Sequence, residues 1–229
     1  MTHPSGVHHI ALSTANMKEQ IAFFTQVLGM ELVALYWMHG VEGAWHSFLK
    51  LNDKCSLSFV HLPDMVDLKP ELGLTHAANA GTPSAGGTLQ HLSLRVETEA
   101  DLLHMRDRIR AHGVPVFGAI DHGMCKSIYF AGPEGLNLEI ATPGIEAIDP
   151  KSWIDPEVVE FAGIAPEELA EMTSPPAFER REQPVPQPAY DSTKPHLTYP
   201  HDVYQKMLNA SDEKIAARST FTDPPVLRT

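Results

Sequence analysis

The chain has 229 residues, 43 % of them apolar and 20 % charged, which suits a folded core and not a disordered chain. Its net charge is -12 and it holds no basic run, so nucleic-acid and anionic-membrane partners are not expected. No stretch approaches the roughly 20 apolar residues of a membrane span, and the short polar start does not read as a secretory signal. Cys55 and Cys125 lie outside any CxxC, so buried free thiols in a reducing cytoplasm are expected.

In chain order, alternating apolar residues predict a strand over 7–13. A helix follows, opened by Asn16 with Glu19 three residues on, as in a capping box. Its inward stripe is Met17, Ile21, Phe24 and Leu28, and Gly29 stops it. Three strands are expected over 32–37, 44–51 and 56–61. Residues 62–87 form a linker with little periodicity, of a length that is usually functional, such as a lid, or simply flexible. A second unit then repeats the plan. It has a strand over 89–96, a helix opened by Thr98 and Asp101 with Leu102, Met105 and Ile109 inward, a stop at Gly113, and strands over 116–119, 126–131 and 137–141. After Pro143 the composition changes. Pro175, Pro176, Pro184, Pro186, Pro188 and Pro195 mark an extended arm, with helices expected over 166–172 and 202–217.

The repeat gives an α+β expectation: paired βαβββ modules over 6–61 and 88–143, joined by 62–87 and followed by a Pro-rich C-terminal extension over 144–229. His9 and His91 take equivalent places on the first strand of each module. Glu139 sits between Leu138 and Ile140, so alternation turns it away from their face. A carboxylate there needs compensation. Two imidazoles and a divalent cation supply it, in the two-His, one-carboxylate arrangement with open positions found at non-haem Fe(II) sites. Ser58 stands opposite Glu139 in the repeat and is a weak ligand, so it leaves a position for water or substrate.

These residues resemble the vicinal oxygen chelate superfamily of glyoxalases, epimerases, extradiol dioxygenases and bleomycin-resistance proteins. The likeness rests on His9-Ile-Ala-Leu with the helix from Ala22 to Met30, on Gln90-His91-Leu-Ser-Leu, and on Tyr129-Phe-Ala-Gly-Pro-Glu-Gly-Leu-Asn-Leu-Glu139. It implies a cup-shaped mixed sheet around a metal held by His9, His91 and Glu139. It implies Fe(II), with Mn(II), Zn(II) and Ni(II) as alternatives, and O2 as co-substrate for ring cleavage of a small vicinal-oxygen substrate. The glyoxalase-like members place a fourth Glu or Gln where this chain has Ser58, which favours the dioxygenase-like members. Tyr129, ten positions before Glu139, matches their active-site tyrosine, and His122 is a further pocket candidate. Their acid/base histidine falls at Ser56 here, a departure that His46 or His61 would have to make good. The resemblance leaves a glyoxalase-type isomerase or lyase, and a metal-free binding protein, as alternatives. It also implies a homodimer.

Overall fold

Eight strands form where the period-two pattern runs, in a computed structural model that describes residues 3–179, 182–220 and 224. They make two four-stranded mixed sheets. The first module contributes β1 (His9–Ser13), β2 (Glu31–Trp37), β3 (Trp45–Asn52) and β4 (Cys55–His61), in the order β1-β4-β3-β2. The second contributes β5 (Leu92–Arg95), β6 (Phe117–Asp121), β7 (Lys126–Ala131) and β8 (Asn137–Ala141), in the order β5-β8-β7-β6. In each sheet the first strand lies parallel to the last, and the other pairs are antiparallel. The repeat read from the sequence is therefore also a repeat of topology.

Local chemistry fixes the helices. Asn16 accepts a hydrogen bond from the Glu19 backbone N–H at 3.2 Å and so caps α1 (Met17–Ala22), which continues as a π-helical turn over Phe23–Val27. Thr98 caps α2 (Glu99–Ala111) by accepting from the Asp101 N–H at 3.1 Å. Both helices end where φ turns positive, at Gly29 (+79°) and Gly113 (+80°), a conformation that costs glycine no Cβ clash.

The helix-bearing faces of both sheets share one core. Met17 and Phe24 of the first helix, Leu57 and Phe59 of β4, Leu102 and Ile109 of α2, and Ile128, Leu138 and Ile140 of the second sheet form a single buried cluster. Full burial of each such side chain contributes about 1.5–3 kcal/mol. Two polar contacts fasten the modules as well. The Arg108 guanidinium donates to the Val27 and Gln26 carbonyls at 2.7 and 2.8 Å, satisfying acceptors left open at the first helix's end. Glu134, in the turn before β8, accepts from the Thr14 hydroxyl (2.5 Å), the Ala15 N–H (2.7 Å) and the Gln20 amide (2.8 Å).

Some expectations change in detail. Strand β5 is shorter than 89–96, so His91 lies immediately before it. The thiols of Cys55 and Cys125 are free but only half-buried. Residues 62–87 are not structureless: a 3-10 turn over Pro63–Asp67 and further tight turns order them, and Ala77 is buried. Two short helices, α3 (Pro150–Trp153) and α4 (Pro156–Phe161), arise where Asp149 and Asp155 cap and proline takes the first turn. They precede α5 (Pro166–Thr173). In place of one helix over 202–217 there are two, α6 (His201–Leu208) and α7 (Asp212–Ser219), because Ser211 starts a new cap.

The chain divides into two units. One, residues 4–38 with 43–175, holds both sheets. The other includes His39–Glu42 and the described residues from Pro176 onward, where the rings of Tyr190, His196, His201 and Tyr204 pack edge to face or tilted. Among the described residues no helix is long and apolar enough to cross a membrane.

Candidate metal centre

Alternation along β8 sends Leu138 and Ile140 into the core and Glu139 to the opposite face, opposite Tyr129 on β7 and Ser93 on β5. Glu139 is only 7 % exposed. A carboxylate so placed has to be paired. The Tyr129 hydroxyl donates to Glu139 Oε1 at 3.1 Å. With its proton committed there, the same oxygen accepts from His122 Nε2 at 3.0 Å. Burial first, and then the Glu139 charge, push the Tyr129 pKa above its ordinary value, so the phenol stays a proton donor.

His91 completes this face, with Nε2 3.0 Å from Glu139 Oε2. Its other ring nitrogen, Nδ1, meets the side-chain oxygen of Gln90. That oxygen only accepts, so Nδ1 carries a ring proton and Nε2 faces the carboxylate. An Nε2 lone pair 3.0 Å from a carboxylate is repelled, so a positive species between the two is favoured. A proton would serve, as would a divalent cation. Two ligands about 2.1 Å from one ion and at a right angle to each other sit about 3.0 Å apart, so the donor set fits a metal. A metal-binding histidine that donates its second N–H to an oxygen is the usual arrangement.

The first sheet presents a different face. Register places His9, Ser56 and Lys50 in one row and Ala11, Ser58 and Phe48 in the next. His9 is exposed, with Nδ1 2.9 Å from His8 Nδ1 and its ring edge-on to Phe48. Ser58 is fully buried, and its hydroxyl donates to the Ile10 carbonyl at 3.2 Å. Ser56 is half-buried between His9 and Lys50. The two histidines named as stand-ins for the missing acid/base part company here. His61 lies on the helix-bearing face, bonded to the Thr14 carbonyl at 2.9 Å and packed on Trp45. His46 lies on the His9 face, packed on Phe48 and Tyr36, with a buried Nε2 that has no partner. Burial, and then the positive field of His9, lower its pKa, so it is a neutral imidazole.

The structure thus brings His91, Glu139, Tyr129 and His122 together and leaves His9 on the other sheet. Among the described residues no three His, Cys, Asp or Glu side chains group closely enough to hold an ion. A cavity of about 410 Å³ opens beside Glu139, walled by Ser93, Arg95, Met124, Cys125 and Ile145. Gly144 closes it, since a Cβ there would fall 1.6 Å from the Met124 carbonyl oxygen. A smaller cavity of about 190 Å³ flanks His91, between Ser13, His76, Gln90 and Asn137. The side-chain nitrogen of Asn137 there is buried and unpartnered. Gln90 and His46 are the residues that sequence reasoning underused. Gln90 precedes the histidine it orients, and His46 alternates with Phe48 on the face that carries His9.

The model of the Glyoxalase/Bleomycin resistance protein/Dioxygenase superfamily matches residues 6–140, more than half of the chain. The chain belongs to this superfamily. Its fold is that of the vicinal oxygen chelate proteins, with paired βαβββ modules. Solved structures similar in fold include a glyoxylase/bleomycin resistance protein/dioxygenase domain from Frankia sp. EAN1pec, with 16% identity, 62% of this chain and 99% of that one covered, and a TM-score of 0.48. They also include TnmS3, an antibiotic binding protein from Streptomyces sp. CB03234 (20% identity, 63% and 100% covered, TM-score 0.44). A third is a fosfomycin resistance protein from Listeria monocytogenes complexed with Mn(II) and a dihydroxypropylphosphonic acid (17% identity, 63% and 98% covered, TM-score 0.45). No curated protein sequence matches the chain.

Proposed function

We propose that this chain is a divalent-metal enzyme acting on a small molecule through two vicinal oxygens, with His91, Glu139 and His9 as the protein's donors. The observation that carries the proposal is the 3.0 Å approach of His91 Nε2, with Nδ1 turned toward Gln90, to a buried carboxylate. A divalent ion bound there supplies Lewis acidity and open positions for substrate oxygens. Tyr129 holds a proton at its hydroxyl next to Glu139, where a substrate oxygen can take it as a hydrogen bond, and His122 braces the phenol from behind. The cavity beside Glu139 has room for a small ligand.

Within that class, oxidative ring cleavage by Fe(II) and O2 of the extradiol type is the reading that the donor count supports. Ser58 gives its hydroxyl to the backbone, so no fourth side chain competes with substrate and O2. The test is anaerobic Fe(II) loading followed by oxygen uptake on a panel of catechols. Uptake with at least one catechol is expected; none, in protein shown to hold iron, rejects ring cleavage.

His46 favours a second reading, an isomerase or lyase that moves a proton next to the metal. It is neutral, its Nε2 is unpartnered, and it shares a face with His9. Deuterium entering a vicinal-oxygen substrate from D2O without oxygen consumption would select it.

His9 is exposed on its own sheet, so a second copy of the chain is the proposed source of the third donor, in a cytoplasmic homodimer. Mixing His9→Ala with His91→Ala protein then rebuilds an intact site in each mixed dimer, about a quarter of all sites at random pairing. Sites confined to one chain would recover nothing.

A further inference from the structure

We propose that Gln90 is a positioning residue: it locks His91 in the Nδ1–H tautomer and ties that lock to the turn at 79–82. The consequence for metal binding rests on the proposed metal site; the lock itself does not.

The Gln90 side chain is held from its far side. Its amide nitrogen donates to the Ala80 carbonyl at 3.0 Å and the Asn79 carbonyl at 3.2 Å, with the Thr82 carbonyl at 3.5 Å. The turn that presents these carbonyls is built in advance. Asn79 Oδ1 accepts from the Gly81 N–H at 2.9 Å, Thr82 Oγ1 accepts from the Asn79 N–H at 3.0 Å, and the Thr82 N–H donates to the Asn79 carbonyl at 3.1 Å. Carbonyls only accept. Turning the Gln90 amide over would set its oxygen against several others, so the nitrogen faces the turn and the oxygen faces His91. That oxygen can only receive a proton from Nδ1. The His91 Nε2 lone pair is thereby aimed at Glu139.

Without this lock a neutral His91 gains by the other tautomer. Nε2–H would donate to Glu139, pairing the carboxylate but blocking the nitrogen that a cation needs. The turn in the inter-module segment therefore sets how well His91 binds metal, although it donates nothing to the metal.

The test uses full-length protein with Mn(II) as the probe. In metal-free protein above the histidine titration range, the His91 side-chain 15N shifts should report the Nδ1–H tautomer. Gln90→Leu removes both the acceptor and the donors. It should shift His91 toward the Nε2–H form and weaken Mn(II) binding about 10-fold to 100-fold. Gln90→Glu keeps an acceptor at Nδ1 and should retain the tautomer, while its second oxygen repels the turn and speeds amide exchange at Gly81 and Thr82. An Nε2–H tautomer in the wild type overturns the proposal, as does a Gln90→Leu protein with unchanged tautomer and affinity. A wild type with the Nδ1–H tautomer but no Mn(II) binding sinks the metal site and leaves the lock standing.

Discussion

On the face away from its helix the first module carries His9, His46, Phe48 and Ser58, whereas the second carries Glu139, Tyr129 and His122 with His91 at its margin. Strand order and helix caps are the same in both. What differs is charge and its compensation. The second face buries a carboxylate and surrounds it with a phenol and imidazoles, while the first holds an exposed imidazole, a buried unpartnered one and an aromatic ring. The repeat thus keeps the scaffold and divides the chemistry, with a buried carboxylate on one half and imidazoles beside an aromatic ring on the other. The helix-bearing faces of both halves nevertheless contribute to one core.

Three perturbations probe the contrast between the two halves. The largest effect is expected in the shared core. Phe59→Ala in the first module and Leu102→Ala in the second should each cost about 2–5 kcal/mol. Each should also lower a single cooperative denaturation curve, followed by far-UV and near-UV circular dichroism together. Two separated transitions would show that the modules are independent.

Next comes Tyr129→Phe, which removes a proton donor from the second half only. With substrate in hand, kcat/KM should fall about 10-fold to 100-fold while metal stoichiometry stays unchanged. A loss of metal instead would make Tyr129 a support for Glu139 and not a partner of substrate.

The smallest effect concerns the clasp between the halves. Burial tends to raise the Glu134 pKa, but hydrogen bonds from Thr14, Gln20 and the backbone outweigh it and hold the carboxyl below its ordinary value. A group depressed in the folded state stabilises above its unfolded pKa, about 4.3. The stability gap between wild type and Glu134→Gln should therefore be constant above about pH 5, at a few tenths to about 1 kcal/mol after solvent screening. It should close as the pH falls through the folded value, as urea titrations across pH would show. A gap that widens on acidification would contradict the clasp.

Much of this was legible from residue order. Asn16, Thr98, Gly29 and Gly113 are local signals whose meaning depends on a few neighbours, and all four sit where the sequence put them. Glu139 was legible because two apolar neighbours fix its face by alternation. His46 and His61 were harder to separate. β3 and β4 carry buried residues on both faces, so burial does not reveal parity, and only the pairing of Trp45 with His61 and His46 with Val60 does. Glu134 reads as a solvated turn residue, since its partners lie more than a hundred positions away. Gln90 was hidden for a related reason: its partners are backbone carbonyls in a segment without periodicity. The caps at Asp149 and Asp155 were present in the sequence, each followed by proline, and mark helices that the arm's proline content obscured.

In the proposed site the two halves jointly hold one ion. Isothermal titration of Mn(II) into wild type, His91→Ala, Glu139→Gln and His9→Ala decides whether they do. About one equivalent per chain is expected in the wild type, with affinity at least about 100-fold weaker in all three variants. If His9→Ala binds Mn(II) as the wild type does while the other two fail, the first half contributes no ligand and the account is wrong.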